Sequence, residues 1–196
     1  MTSAPRRVVV GISGASGVIY GIRLLEVLRQ DAAIETHLVI SPAGRITIAQ
    51  ETAWSVGQVE ALADVVHKPE NIGASIASGS FATLGMAIVP CSIKSLSAVA
   101  HSYADDLLVR AADVTLKEGR PLVLVVRETP LHLGHLRLMV QAAELGAVIL
   151  PPMPAFYSRP QSLDDIINET VGRILLRLGI DNGLYFEWLG LRGSRE

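Results

Sequence analysis

Short runs rich in valine and isoleucine alternate along the chain with longer stretches in which apolar residues recur every three or four positions. The first pair is the clearest. Val8–Val10 leads into the turn GISGASG, and VIYGIRLLEVL follows, with Ile19, Ile22, Leu25 and Leu28 at helical spacing between Arg23, Glu26 and Arg29. A buried strand, a tight turn and a helix start present backbone N–H groups to an anion such as phosphate. Further along, Thr36–Ile40 predicts a second strand, Ala43–Ala53 a helix, Ala61–His67 a short helix and strand, and Gly73–Ser80 a loop. Gly85–Val89 predicts a buried strand halted by Pro90, followed by two helices broken near His101–Ala104. Pro121–Val126 reads as a strand, Leu133–Leu145 as a helix stopped by Gly146, and Ala147–Leu150 as a short strand. Ser162 is placed to cap a last helix, Leu163–Leu178, with Asp164 and Asp165 in its first turn. This β-α alternation, without linkers or low-complexity tracts, predicts a single α/β domain, doubly wound about a mainly parallel sheet of Rossmann or flavodoxin type.

Composition narrows the picture. A chain of 196 residues is long enough for one core, and 49% hydrophobic residues suit a sheet covered on both faces. That fraction also suggests that some surface is pressed against copies of the chain. A formal charge of −2 leaves no basic footprint for nucleic acid. The single cysteine, Cys91, excludes an internal disulfide framework. No uncharged apolar run is long enough to span a membrane, and the opening MTSAPRR lacks the apolar centre of a signal peptide, so a cytoplasmic protein is expected.

Ligands of such sheets sit beyond the carboxyl ends of the strands. The residues there are Ser13–Gly17, Ser41, Pro90–Ser95, Arg127-Glu128 and Pro154–Tyr157, which are expected to converge on one crevice. GISGASG departs from GxGxxG because Ser13 takes the place of the second glycine, and Ser41, not an acid, closes the second strand. Both features disfavour a dinucleotide and suit a mononucleotide such as FMN, although the turn equally fits a plain βα connection. PCSIKSLS is a second phosphate-type loop in which Ser92 caps a helix and Ser92 and Ser95 offer hydroxyls. Cys91 has no histidine partner and reads as a packed small residue. Arg127 stands out by following a strongly apolar strand, with Glu128 beside it as an acid/base group or an ion-pair partner. Taken alone, Arg110, Lys117 and Arg173 read as solvated cations. His132 and His135 lack a third ligand at matching spacing, so no metal is expected. PPMPAFYSRPQS is a stiff wall carrying Tyr157, or a subunit contact.

Together, GISGASGVIYGIRLLEVL, ASGS, the PCS loop, RETPLH and PAFYSRPQS resemble the flavin prenyltransferases (UbiX-like proteins), from Arg7 to about Ile180. The resemblance implies a flavin-binding domain over residues 1–180 and a C-terminal tail over 181–196 that packs at the site or at a subunit interface. It implies a metal-independent transfer of a dimethylallyl group from dimethylallyl monophosphate to reduced FMN. One bond forms from the prenyl C1′ to flavin N5 and a second from C3′ to flavin C6. The product serves a separate UbiD-like decarboxylase, and the assembly is a dodecamer with flavin between subunits. By matching motif, Gly14, Ala15, Ser16, Ser41, Ser92, Ile93, Lys94, Ser95 and Arg127 would hold FMN. Ser78, Arg110, Lys117, Tyr157 and Arg173 would bind the donor. Ser16, Glu51, Lys117 and Glu128 would carry the chemistry, the two acids through proton handling. The family often has an aromatic residue before ASGS where this chain has Ile72, and Trp188 in the tail is a candidate replacement.

Two other readings stay open at this level. One is a flavin-dependent cysteine-type decarboxylase, disfavoured because PCSIKSLS replaces a PASANT-like loop and no histidine follows the first helix. The other is a non-catalytic subunit that stores or delivers FMN, which would have no use for cations aimed at a second phosphate.

Overall fold

Strand β1 (Arg6–Ile12) is the valine run, buried from Val8 onward. In the computed structural model, which describes residues 6–190, it is joined by β2 (Ile34–Ile40), β3 (Val65–His67), β4 (Gly85–Cys91), β5 (Leu122–Val126) and β6 (Val148–Ile149). Residues 1–5 and 191–196, including the opening MTSAP and the end of the expected tail, lie outside the described residues. Among the described residues the six strands form one all-parallel sheet in the order β3-β2-β1-β4-β5-β6. That order reverses between β1 and β4, which leaves a crevice beyond their carboxyl ends.

Period-two alternation splits each strand between two cores. Val8, Val10, Ile12, Val123 and Val125 pack under α1 (Val18–Leu28) and α7 (Leu163–Arg177). Val9, Met86, Ile88, Leu122, Leu124 and Val126 pack under α4 (Ile93–Ala100), α5 (Leu107–Lys117) and α6 (Leu133–Glu144). The expected single, doubly wound α/β domain is therefore present, with α2 (Pro42–Glu51) and α3 (Val56–Glu60) completing the connection from β2 to β3. A Leu→Ala change in either core costs about 2–5 kcal/mol.

Several local expectations shift. On α1 the buried stripe is Val18, Ile22, Leu25 and Leu28, while Ile19 is only half-buried. Gly21 sets this rotation, because any Cβ there would run into the Val89 carbonyl. Strand β4 does not stop before Pro90 but continues to Cys91, with a register irregularity between Ile88 and Cys91. Proline is tolerated where the ladder is already broken. The short helix precedes Ala61, since Ser55 and Gln58 form a reciprocal capping box at its start. The Gly73–Ser80 loop contains a 3-10 turn at Ser75–Ala77. Ser162 and Asp165 form the expected cap of α7, and Gly146, at φ 101°, follows α6.

Candidate active site

The two serine-bearing loops meet at the reversal of strand order, and Ser13 is what joins them. Its buried hydroxyl donates to the Pro90 carbonyl at 2.7 Å and accepts from the Ser92 N–H at 2.7 Å. The position that breaks the dinucleotide fingerprint is thus a brace between β1 and β4. Around it, Ser41 N–H donates to the Ile12 carbonyl at 2.9 Å and Arg127 N–H to the Cys91 carbonyl at 3.2 Å. Four of the five strand-end groups therefore gather at one crevice. Among the described residues, the N–H groups of Gly14, Ala15 and Ser16 donate to no protein acceptor. Ile93 and Lys94 open α4, where first-turn N–H groups have no helical partner.

The N-terminus of α1 is not open to a ligand phosphate, contrary to the expectation from the turn alone. Glu51, the last residue of α2, accepts from Gly17 N–H at 2.8 Å and Val18 N–H at 3.4 Å. Gly17 makes this possible by taking φ 96° before the helix. Burial alone would raise the Glu51 carboxyl. The Ser16 hydroxyl, the two N–H groups and the Arg127 guanidinium outweigh it and hold the group below its ordinary value. Half-buried Tyr20 lies in the same region: burial raises its phenol, and Arg127 opposes the shift.

The remaining predicted groups are more specialised than their motif suggests. Ser41 caps α2 by accepting from Gly44 N–H at 3.0 Å, and Ser92 caps α4 by accepting from Ser95 N–H at 3.3 Å. The Lys94 side chain turns away to Asp105 and Asp106 at 3.3 and 3.4 Å, so only its backbone faces the crevice. Glu128 is exposed next to Arg127. Cys91 is fully buried and burial pushes its thiol up to about 12, which removes it as a nucleophile. His132 accepts from Gly134 N–H at 3.0 Å as the cap of α6. Among the described residues no group of three or more metal-ligating side chains is present.

The donor-binding set does not assemble with this crevice. Ser78 and Lys117 lie at the opposite edge, beside the starts of β4 and β5, where Leu84 N–H donates to the Arg7 carbonyl at 2.7 Å. Seven residues of β4 separate the two edges, about 20 Å. Arg110 sits on α5 two turns before Lys117, paired with Asp113 at 2.8 Å. Tyr157 and Arg173 instead line a cleft of about 310 Å³ along β6, with Pro151, Met153 and Glu169. Because α5 and α7 cover opposite faces of the sheet, Lys117 and Arg173 of one protomer do not converge. The tail touches this cleft: Phe186 N–H donates to buried Glu169 at 2.8 Å, and the Trp188 ring lies 5.7 Å from that of Tyr157.

Sequence reasoning overlooked the brace role of Ser13, the place of Tyr20, and the tail contact made by Glu169. Only Ser13 left a signal, as the serine standing where a fingerprint glycine is expected.

Comparison with known proteins agrees with this geometry. The Flavoprotein family profile matches residues 1–175. The chain is 65% identical over 187 residues to flavin prenyltransferase UbiX of Escherichia coli (strain K12), covering 94% of this chain and 99% of that protein. It is 60% identical over 184 residues to flavin prenyltransferase UbiX of Thauera aromatica, covering 94% of each. The crystal structure of AnUbiX in complex with FMN and dimethylallyl pyrophosphate superposes with TM-score 0.92 at 47% identity, covering 95% of this chain and 99% of that one. A dodecameric FMN-dependent UbiX-like decarboxylase from Escherichia coli O157:H7 gives TM-score 0.91 at 46% identity, covering 94% of this chain and 100% of that one. With the strand order, the braced loops and full-length similarity all in agreement, the chain belongs to the Flavoprotein family and, within it, to the flavin prenyltransferases.

Proposed function

We propose that this flavin prenyltransferase alkylates reduced FMN with dimethylallyl monophosphate in a site completed by a second copy of the chain. The observation that carries the reading is the pair of N–H-lined loops tied through Ser13, with Arg127 beside them and no acid at the end of β2 to clamp a dinucleotide ribose. Gly14, Ala15, Ser16 and the Ser92–Ser95 turn suit a single flavin phosphate through backbone N–H groups and the hydroxyls of Ser16 and Ser92. Ser41 acts through the cap that places α2, and Lys94 through its backbone.

Reduced FMN supplies the nucleophilic N5 and C6 positions. As the allylic C–O bond breaks, negative charge grows on the departing phosphate. Cations at that position stabilise the transition state more than the ground state. Lys117, Arg110 and Ser78 of one protomer, facing Tyr157 and Arg173 of another, fit this task, since within one protomer they are too far apart for a five-carbon phosphate ester. The exposed apolar residues Leu133, Leu136 and Val140 on α6, with Met153 and Phe156, provide surface for such an assembly, and a dodecamer is the assembly of a solved relative. Ser16 and Glu51 form a hydroxyl–carboxylate pair that can hold or pass a proton at Ser16 Oγ. Glu128 or the leaving phosphate accepts the proton lost from the flavin. Residues 181–190, with Trp188 against Tyr157, serve as the cover that keeps water from the allylic cation. We assign residues 1–180 to the flavin domain and the following tail to this cover. The product goes to a prenyl-flavin-dependent decarboxylase of UbiD type in the cytoplasm; no helix among the described residues is long and apolar enough to cross a membrane.

The test is an anaerobic reaction of the purified protein with reduced FMN and either dimethylallyl monophosphate or the diphosphate, followed by flavin mass. A gain of one C5H8 unit, faster with the monophosphate, is expected. Unchanged flavin with tight FMN binding would replace this reading with that of a storage subunit.

A further inference from the structure

The turn carrying Ser78 is held by a residue outside the set described so far. Arg120 follows Gly119 at the end of α5, and its guanidinium spans two carbonyls of the turn. Nη2 donates to Gly79 at 2.7 Å and Nη1 to Phe81 at 2.9 Å. On the other side, the Arg7 guanidinium lies 4.3 Å from the centroid of the Phe81 ring, and the edge of His37 packs at 5.1 Å. The turn closes on itself through Phe81 N–H to the Ser78 carbonyl at 3.2 Å.

This clasp fixes what the turn presents. The exposed hydroxyls of Ser78 and Ser80 sit 2.9 Å apart. Gly79 lies so close to α5 that a Cβ would come 2.8 Å from Lys117 Nζ and would collide with the Glu118 carboxylate. Lys117 and Glu118 pair at 2.5 Å; that contact first, and Arg120 more weakly, lower the Glu118 carboxyl. Two hydroxyls, an ammonium and the Glu118 carboxylate paired with it thus share one small surface whose spacing is set by the backbone of the turn; a donor phosphate takes the place of that carboxylate on Lys117. Only a planar fork with several donors bridges two carbonyls in fixed geometry, and lysine, a point donor, does not.

We propose that Arg120 is a positioning residue for the donor phosphate, and that Ser80 joins Ser78 and Lys117 as a direct hydroxyl ligand of that phosphate. The proposal rests on the reading of Lys117 as a donor-phosphate ligand. Arg120 acts by holding the Ser78–Phe81 turn against Lys117, far from the flavin loops. Its loss therefore acts on donor affinity and leaves flavin binding alone.

The experiment measures KM for dimethylallyl monophosphate, kcat and the FMN Kd in the full-length protein for Arg120→Lys, Arg120→Ala, Ser80→Ala and Lys117→Ala. Arg120→Lys is expected to raise the donor KM about 10- to 100-fold, the scale of losing a charge-assisted hydrogen bond or of a small misplacement, with kcat and FMN Kd within about threefold. Ser80→Ala is expected to raise it about 5-fold, the scale of one neutral hydrogen bond. Added guanidinium should lower the KM of Arg120→Ala toward that of the parent. If Lys117→Ala raises the donor KM while Arg120→Lys leaves it within about twofold, the positioning role is wrong and the donor site stands. If FMN Kd, kcat and thermal midpoint all deteriorate with the Arg120 substitutions and guanidinium restores nothing, Arg120 is structural and the proposal falls. A donor KM unmoved by Lys117→Ala removes the underlying site reading, and the proposal with it.

Discussion

The carboxyl edge of the sheet and the opposite edge gather different kinds of polar group. At the carboxyl edge, β1 and β4 diverge by topology, and Ser13 braces the loops that follow them. The polar groups there are mostly backbone N–H, and their positions follow from the fold itself. At the other edge, the Ser78 turn and Lys117 meet through side chains, with Arg120, Phe81 and Arg7 holding the turn against the end of α5. The first region suits a ligand that needs a rigid phosphate cradle. The second offers the Lys117 ammonium, paired with Glu118, beside the hydroxyls of Ser78 and Ser80. Their separation within one protomer means that, on the proposed function, substitutions at one edge should disturb flavin affinity and substitutions at the other donor affinity.

The sharpest break of this division is Lys117→Ala. It should lower kcat/KM for the prenyl phosphate by about 10²- to 10³-fold, the scale of removing one group that stabilises transition-state charge. Flavin titration should show an FMN Kd within about twofold of the parent. Loss of FMN binding would merge the two regions.

Glu51→Gln probes the carboxyl edge. Loss of proton handling should slow turnover about 10²-fold, and loss of the negative charge at the start of α1 should cost under about 1 kcal/mol. Because the folded carboxyl lies below its ordinary 4.5, its stabilisation is present above pH 4.5 and is lost as pH falls through the folded value. Thermal midpoints measured across that acid range should therefore fall less steeply in the glutamine variant.

Ser13→Ala leaves the Ser92 N–H without its acceptor, while the residue-13 N–H still reaches the Pro90 carbonyl at 3.2 Å, and should cost about 2 kcal/mol in denaturant unfolding. FMN affinity should weaken, with the donor KM little changed. The reverse pattern would overturn the assignment of the loops.

The smallest effect belongs to His67, the last residue of the edge strand β3. His67 stacks on His37, with His37 Nδ1 and His67 Nε2 2.9 Å apart, and burial, then the His37 charge, lower its pKa from 6.5. The unfolded chain therefore binds a proton there more readily, and stability present above pH 6.5 is lost as pH falls toward the folded value. His67→Gln should flatten the stability profile just below pH 6.5, with FMN affinity at neutral pH unchanged.

Much of this architecture was legible along the chain. Five of the strands appear as valine- and isoleucine-rich runs, because a parallel sheet covered on both faces requires nearly continuous apolar residues. Caps at Ser92, Ser162 and Gly146 were readable because they act within a few residues. The serine-bearing loops stand at the strand ends, as expected, since the β-α order already puts them on one edge. What could not be read locally was how groups distant in sequence compete. Glu51 takes the N-terminus of α1 from 34 residues away, and Asp105 and Asp106 draw Lys94 out of the crevice.

By itself, the sequence determined a doubly wound α/β chain, a mononucleotide in place of a dinucleotide, and, through its motifs, the flavin prenyltransferase family. These depend on hydrophobic period and short-range spacing, which the chain carries explicitly. The tertiary structure alone decided that the two serine-bearing loops lie at the carboxyl edge while the Ser78 turn meets Lys117 at the other, where Arg120 clasps that turn. Those outcomes follow from strand order and helix packing, which bring Gly79 and Arg120 together across 41 residues and keep Lys117 and Arg173 on opposite faces of the sheet.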